Sequence, residues 1–276
     1  MRARDTRHRL GGRPAKLARV ALIEFRGVKK AFGPKVVYRD LNLDIQKGES
    51  LTIIGGSGVG KSVMIKMLIG LLRPDDGTIH FDGQEISHLS EAEFAPVRRR
   101  IAMLFQGAAL FDSLNVFENV AYGLREHYRL PEEEIAARVA ESLGYVGMEG
   151  TEDKWPADLS GGMKKRVGLA RAVAIRPDVI LYDEPTTGLD PVNVTRINEL
   201  ILRLQNQLQY TSVVVTHDMT TVFTVSDRVA MVYGGGIIFE GTQEDLRTTR
   251  QPHVRDFVEG NAPVGEDTAT LLRSAG

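Results

Sequence analysis

With 276 residues, the chain is long enough for one large or two ordinary domains, and a 42% hydrophobic content supplies a sizeable core. Its 35 Lys+Arg against 36 Asp+Glu leave a net charge of −1, so nothing global argues for wrapping a polyanion. The absence of cysteine excludes a disulfide framework and a thiolate metal site.

Residues 1–20, "MRARDTRHRLGGRPAKLARV", carry seven Lys or Arg against the single Asp5 and lack the apolar central segment of a secretory signal. They read as a flexible basic leader, a solvated arm more than a membrane-surface anchor. Beyond them, short apolar runs alternate with helical patterns, the arrangement of an α/β domain on a mainly parallel sheet. "LTII" at 51–54 is a buried-strand run, "GGSGVGKS" a loop, and "SVMIKMLIGLL" puts Val63, Met67, Ile69 and Leu71 on one helix face. "RIAMLFQ", "VILYDEP" and "TSVVVTHD" predict three more central strands. Between the first two, the chain is rich in helix, with Ile135, Val139, Ala140 and Leu143 recurring at helical spacing. "RVAMVYGGGIIFEG" predicts a hairpin about a glycine turn, and the tail from about Asn261 is small, polar and loose. No stretch approaches the ~20 consecutive apolar residues of a spanning helix, so a membrane role would come through a partner.

The strongest chemical signal is Gly55-Gly56-Ser57-Gly58-Val59-Gly60-Lys61-Ser62, a full GxxxxGK[ST] match between a strand and a helix that Val63 continues. Glycines let successive backbone N–H groups turn toward phosphate oxygens. Lys61 supplies a cation for the β- and γ-phosphates, and the Ser62 hydroxyl is a ligand for Mg²⁺. A chance glycine turn before a helix leaves the other fixed positions unexplained. Asp183 and Glu184 end the apolar run "VILYDEP", where Asp183 suits the Mg²⁺ shell and Glu184 suits the orientation or deprotonation of an attacking water. Alone, the two acids would read as a strand cap; together with the phosphate loop they read as a hydrolytic pair. His217 follows "VVVT" and is either an ordinary loop histidine or a group in reach of the γ-phosphate. The other histidines show no metal-ligand spacing. A second anion-binding helix start stands at 158–172, "DLSGGMKKRVGLARA".

The order of these motifs resembles the ATP-binding subunit of an ABC transporter. The resemblance spans about residues 22–245 and includes Gln106 as the glutamine loop, "LSGGM" at 159–163, "GLD" at 188–190 and His217. It implies a P-loop NTPase fold of the ABC type: a mainly parallel sheet core, an antiparallel β subdomain and a helical subdomain at about 107–175. The ATPase domain would run over 21–250, between the leader and a C-terminal extension at 251–276. It further implies ATP as substrate, Mg²⁺ as cofactor, and a head-to-tail dimer with a second copy of the chain. In that dimer, Ser160, Gly161 and Gly162 of one copy close over the phosphate held by the other, which explains two phosphate-binding loops in one chain. By the same resemblance, Gln106 touches Mg²⁺ near a membrane subunit, Asp190 bridges the two halves, and Phe32 stacks on adenine. A core aromatic on a strand is the competing reading for Phe32.

Met163 stands where the common motif has Gln, and a thioether cannot replace the amide's hydrogen bonds. "LSGGM" with "LFQGAALFDSLNVFENVAYGL" resembles the MlaF-type branch, which implies phospholipid movement between membranes. The expected partners are an MlaE-like integral permease, an MlaD-like MCE-domain lipid-binding protein and a small STAS-type regulator. No nucleic acid is expected, and the expected location is the cytoplasmic face of a bacterial inner membrane. Ala108, Ala109, Leu110, Phe111, Leu114, Val116 and Phe117 crowd apolar groups after Gln106, either as a docking surface or as helical core. Two other functions share the catalytic motifs: transport of another solute, and non-transport ABC ATPases of DNA repair, chromosome organisation or translation. The latter usually carry coiled-coil or zinc insertions or two cassettes, none of which is seen here.

Overall fold

The computed structural model describes residues 21–261; the basic leader and the tail beyond 261 lie outside the described residues. In chain order the elements are β1 (Ala21–Phe32), β2 (Lys35–Gln46), β3 (Ser50–Ile54), α1 (Lys61–Leu68), β4 (Asp76–Phe81), β5 (Gln84–Glu85), α2 (Glu91–Arg98) and β6 (Ile101–Leu104). Three consecutive helices follow: α3 (Val116–His127), α4 (Glu132–Tyr145) and α5 (Gly161–Ala174). The chain returns through β7 (Val179–Asp183), α6 (Pro191–Leu208), β8 (Thr211–Val215), α7 (Met219–Val225), β9 (Arg228–Tyr233) and β10 (Gly236–Gly241), ending in α8 (Gln243–Thr248) and α9 (Pro252–Glu259).

Two sheets result. β2-β1-β4-β5 is antiparallel; the larger sheet runs β10-β9-β3-β8-β7-β6 and is parallel except at the β9–β10 hairpin. β3 is buried along its whole length between β8 and β9, as its mainly apolar run predicts for a strand covered on both faces. This strand order sends β3, β7 and β8 out at one edge of the sheet. The register pairs Ile53 with Val215 and Asp183 with Val215, so the three following turns are neighbours. Carboxyl ends of parallel strands are where such sheets bind ligands.

One core joins α3, α4, α5 and α6 to β6, β7 and β8, with Val120, Leu143, Val167 and Ile201 all fully buried. A second core, around Phe25, Leu41 and Ile53, lies beneath the antiparallel sheet, and a third, around Ile54, Met231 and Val254, carries α9. The expected C-terminal extension therefore begins as a helix packed on the sheet.

Two expected helix faces are corrected. α1 stops at Leu68 because Gly70 turns into the left-handed region at φ +72, and its buried face is Met64, Ile65, Met67 and Leu68. Val63 and Ile69 are only half-buried, and Leu71 is exposed. In α4, Ile135, Val139 and Leu143 are buried as expected, but Ala140 is exposed. Ser142 is buried instead, its hydroxyl donating to the Arg138 carbonyl at 2.7 Å.

Candidate active site

The loop after β3 and the first turn of α1 form the floor of a cleft of about 730 Å³. The loop's shape needs glycine at two points. Gly55 (φ +146) passes so close to the sheet that an added Cβ would lie 2.5 Å from the Val232 carbonyl oxygen. At Gly60 (φ +116) the same atom would lie 2.5 Å from Val37 Cγ1. The buried Tyr38 hydroxyl donates to the Gly60 carbonyl at 2.8 Å, so β2 braces the loop from behind, and burial holds that phenol well above its ordinary range.

Lys61 folds back over the loop and donates to the carbonyls of Gly55 (2.7 Å) and Gly56 (2.9 Å). Burial lowers its pKa, opposed by the negative charges of Glu184 and Asp183. Ser62 Oγ donates to Asp183 Oδ1 at 3.3 Å, joining α1 to the end of β7. Burial raises the Asp183 carboxyl above the ordinary carboxylate range, and the Ser62 hydrogen bond works against that rise. These two hard oxygen donors fit Mg²⁺. No group of three or more His, Cys, Asp or Glu suited to hold a metal occurs among the described residues. Gln106 and Ser62 border the same cleft as Asp183.

Glu184 is held more tightly than any other acid of the site. Its backbone is left-handed at φ +49, an unfavourable conformation for a non-glycine residue, and its N–H donates to the Val215 carbonyl at 2.8 Å. Its Oε2 accepts from Thr216 Oγ1 at 3.2 Å and Thr187 Oγ1 at 3.4 Å, while Oε1 lies 2.9 Å from His217 Nδ1. With the carboxylate ionised, that contact requires the histidine proton on Nδ1 and leaves Nε2 for a second partner. The Glu184 side chain is only 14% exposed and that of His217 is 64% exposed, so the acid is sheltered and the imidazole faces the cleft mouth. The pair can orient a water and a phosphate oxygen side by side.

Phe32 closes the cleft at the end of β1. It is 45% exposed, with Lys30 Nζ 5.3 Å from its ring centre, so the core reading for Phe32 does not apply. Val59 does not line the cleft with the rest of its loop: Val59 and Val63 both pack against the core beneath the antiparallel sheet, and only Val63 also borders the cleft. Three lining residues had no sequence signal. Lys35 and Val37 come from β2, and Phe257 comes from α9. Nothing in a C-terminal helix sequence announces a return to the phosphate loop.

Ser160, Gly161, Gly162 and Asp190 are not among the residues lining that cleft. They form a second cluster. Ser160 caps α5 by accepting from Met163 N at 3.3 Å, and Asp190 caps α6 by accepting from Val192 and Asn193 N–H groups, each at 3.1 Å. Asn193 lies against Gly162, joining the two helix starts. Met163 turns its half-buried side chain toward the helical core. Within one chain the two clusters remain separate.

The apolar run after Gln106 divides. Ala108 and Val116 are fully buried, and Leu110 and Phe117 pack half-buried against the helical core. Treating the whole run as a docking surface is therefore corrected, since α3 draws these residues inward. Phe111 stays 41% exposed, tilted against Tyr122 with ring centres 4.6 Å apart. The buried Asn119 amide fixes this loop by donating to the carbonyls of Phe111, Leu114 and Asn115 and accepting from Phe111 N. Among the described residues, no helix is long and apolar enough to cross a membrane.

Comparison with known proteins places the chain by family, by relatives and by solved structures. A family model described as "ABC transporter" matches residues 38–187. The chain is 42% identical over 241 residues to the intermembrane phospholipid transport system ATP-binding protein MlaF of Haemophilus influenzae, covering 87% of this chain and 91% of that protein. It is 38% identical to MlaF of Escherichia coli K12, covering 91% and 96%. It is also 42% identical to the probable ribonucleotide transport ATP-binding protein mkl of Mycobacterium leprae, covering 92% of this chain and 75% of that protein. Among solved structures, cbiO1 of Clostridium perfringens, part of the ABC transporter complex cbiONQ, superposes with a TM-score of 0.76 at 32% identity, covering 87% of this chain and 99% of the other. A dimeric ATP-binding cassette bound to ADP and Pi gives 0.73 at 32% identity, covering 80% and 98%.

Proposed function

Because this chain belongs to the ABC transporter family, as an ATP-hydrolysing subunit, we propose that its hydrolysis drives phospholipid movement between membranes. The observation that carries the phospholipid assignment is the identity to MlaF proteins over nearly their whole length. The mkl relative favours ribonucleotide as a second reading, but the match leaves a quarter of that protein uncovered.

In this reading the phosphate loop cradles the ATP phosphates through its N–H groups and Lys61, and the adenine lies on Phe32. Ser62, Asp183 and Gln106 would hold Mg²⁺, which when bound neutralises charge on the β- and γ-phosphates. Glu184 takes the proton of the attacking water, and His217 holds Glu184 and meets the γ-phosphate through Nε2. The separation of the two clusters supports a working head-to-tail dimer, with the partner copy supplying Ser160, Gly161, Gly162 and Asp190. An MlaE-like permease docks at Phe111 and Tyr122 and holds the chain at the cytoplasmic face of the inner membrane. An MlaD-like MCE protein and a STAS-type regulator complete the assembly.

The test is reconstitution of the full chain with its co-purifying membrane subunits in vesicles. Labelled phospholipid should transfer to acceptor vesicles with ATP and not with the Glu184→Gln variant. ATP-dependent uptake of labelled ribonucleotide without lipid transfer would establish the second reading.

A further inference from the structure

Lys165, Gly168 and Arg171 follow one another at three-residue intervals along α5 and meet the segment that carries Gln106. Lys165 is 4% exposed, yet among the described residues no carboxylate oxygen forms a hydrogen bond or ion pair with it. Its Nζ donates instead to two main-chain carbonyls, that of Gln106 and, at 3.3 Å, that of Glu184. Gly168 lets the helix approach: an added Cβ would lie 2.8 Å from Leu104 Cδ1 and 3.4 Å from Ala108 Cβ. Arg171 then donates to the carbonyls of Ala108 and Ala109, each at 2.8 Å.

Three of the four carbonyls so gathered belong to strained backbone. Among the described residues, six non-glycine residues have positive φ, and three of them, Ala108 (+63), Ala109 (+47) and Glu184 (+49), give their carbonyls to these two cations. A buried ammonium is unfavourable unless several dipoles converge on it, and an apolar side chain of the same length would pack there without that penalty. Here the converging dipoles come from two turns, and among the described residues no other side chain donates to both the Gln106 and the Glu184 carbonyl.

We infer that Lys165 is a positioning residue for ATP hydrolysis, tying the main chain at Gln106 to the main chain at Glu184. The inference rests on the assignment of Glu184 as the base. A displacement of the loop bearing Gln106 and Phe111 is thereby carried to the turn that aims Glu184. Through α5 both are also fixed relative to Ser160 at that helix's first turn. Lys165 touches main chain, so it acts through other residues.

Lys165→Met keeps length and apolar volume and removes the donors; Lys165→Arg keeps donors. In the full chain, Lys165→Met should bind Mg-ATP within about threefold of the parent, keep its KM and lose about tenfold or more in kcat, the pattern of an interaction used in turnover and not in binding. Lys165→Arg should recover most of that loss. Should Lys165→Met not fold, Lys165→Gln, with a shorter donor, should show the same split between kcat and KM. A kcat within about threefold of the parent, or loss of ATP affinity in parallel with kcat, overturns the inference. Glu184→Gln measured alongside separates the two readings: if it retains turnover the base assignment has failed, whereas inactivity of Glu184→Gln with full activity of Lys165→Met rejects only the positioning role.

Discussion

His217 Nδ1 and Glu184 Oε1 stand 2.9 Å apart although 33 positions separate them in the chain. Their meeting follows from strand order: β7 and β8 are parallel neighbours, the register sets Asp183 beside Val215, and each strand ends a residue or two before its functional side chain. Hydroxyls of Thr187 and Thr216 hold the other carboxylate oxygen, so the acid is fixed from three directions.

Glu184→Gln should keep ATP binding and lose turnover, because the amide keeps the shape and removes the base. A general base contributes about 10²–10⁴ in rate. Steady-state hydrolysis checks the size of the loss, and activity within about threefold of the parent contradicts the assignment. The variant should also accumulate as an ATP-bound dimer, visible as an earlier size-exclusion peak with Mg-ATP.

Asp183→Asn should raise or leave unchanged the melting temperature of the ligand-free protein at neutral pH. The folded carboxyl has its pKa above the ordinary 3.8, so the native state binds this proton more tightly than the unfolded chain. Stability therefore falls as pH rises through the interval between the unfolded and folded values, and the full penalty persists above it. The amide removes that penalty while weakening the oxygen set for Mg²⁺. Thermal shift with and without Mg-ATP tests both halves: the ligand-free melting point should not drop, and the shift produced by Mg-ATP should shrink.

Met163→Gln should leave hydrolysis within a few-fold of the parent. The thioether packs toward the helical core, and the Ser160 cap uses only the residue's backbone N–H. The swap roughly conserves volume, at a cost of about 1.5 kcal/mol or less from packing alone, with a further penalty if the amide finds no partner. A hundredfold loss of ATPase activity would instead show that the side chain itself takes part in turnover.

Phe111→Glu and Leu110→Glu should have different consequences. Phe111 is exposed beside Tyr122, so its charged variant should stay folded and bind ATP yet lose the membrane subunit on co-purification. Leu110 packs on the helical core, so a charge there should lower the melting temperature of the isolated subunit, since burying an unpaired charge costs several kcal/mol, of order 3 or more. Melting curves and co-purification of both variants give the comparison. Retention of the membrane subunit by a folded Phe111→Glu removes that face from the docking site.

The phosphate loop, the end of "VILYDEP" and the central strands were legible from sequence because each is a contiguous signal. The loop motif is legible as consecutive residue types, even though the close approaches that require Gly55 and Gly60 come from distant strands, and a strand buried on both faces reads as a mainly apolar run. The helix start at Ser160 is local in the same way, since its hydroxyl accepts from the Met163 N–H only three positions ahead; the caps at Asp190 and Asn115 are equally local but were not read from the sequence.

What required the tertiary structure depends on which surfaces meet. An apolar residue after Gln106 is core or free surface according to where α3 lies, so Leu110 and Phe111, adjacent and both hydrophobic, take different roles. Phe257 reaches the cleft because Val254 anchors α9 in the third core, and Lys165 finds its carbonyls because α5 crosses two turns far apart in sequence. Periodicity encodes that a side chain is apolar and which face of its own helix it shares. The partner it meets is set by strand order and helix crossing, which are properties of the packed whole.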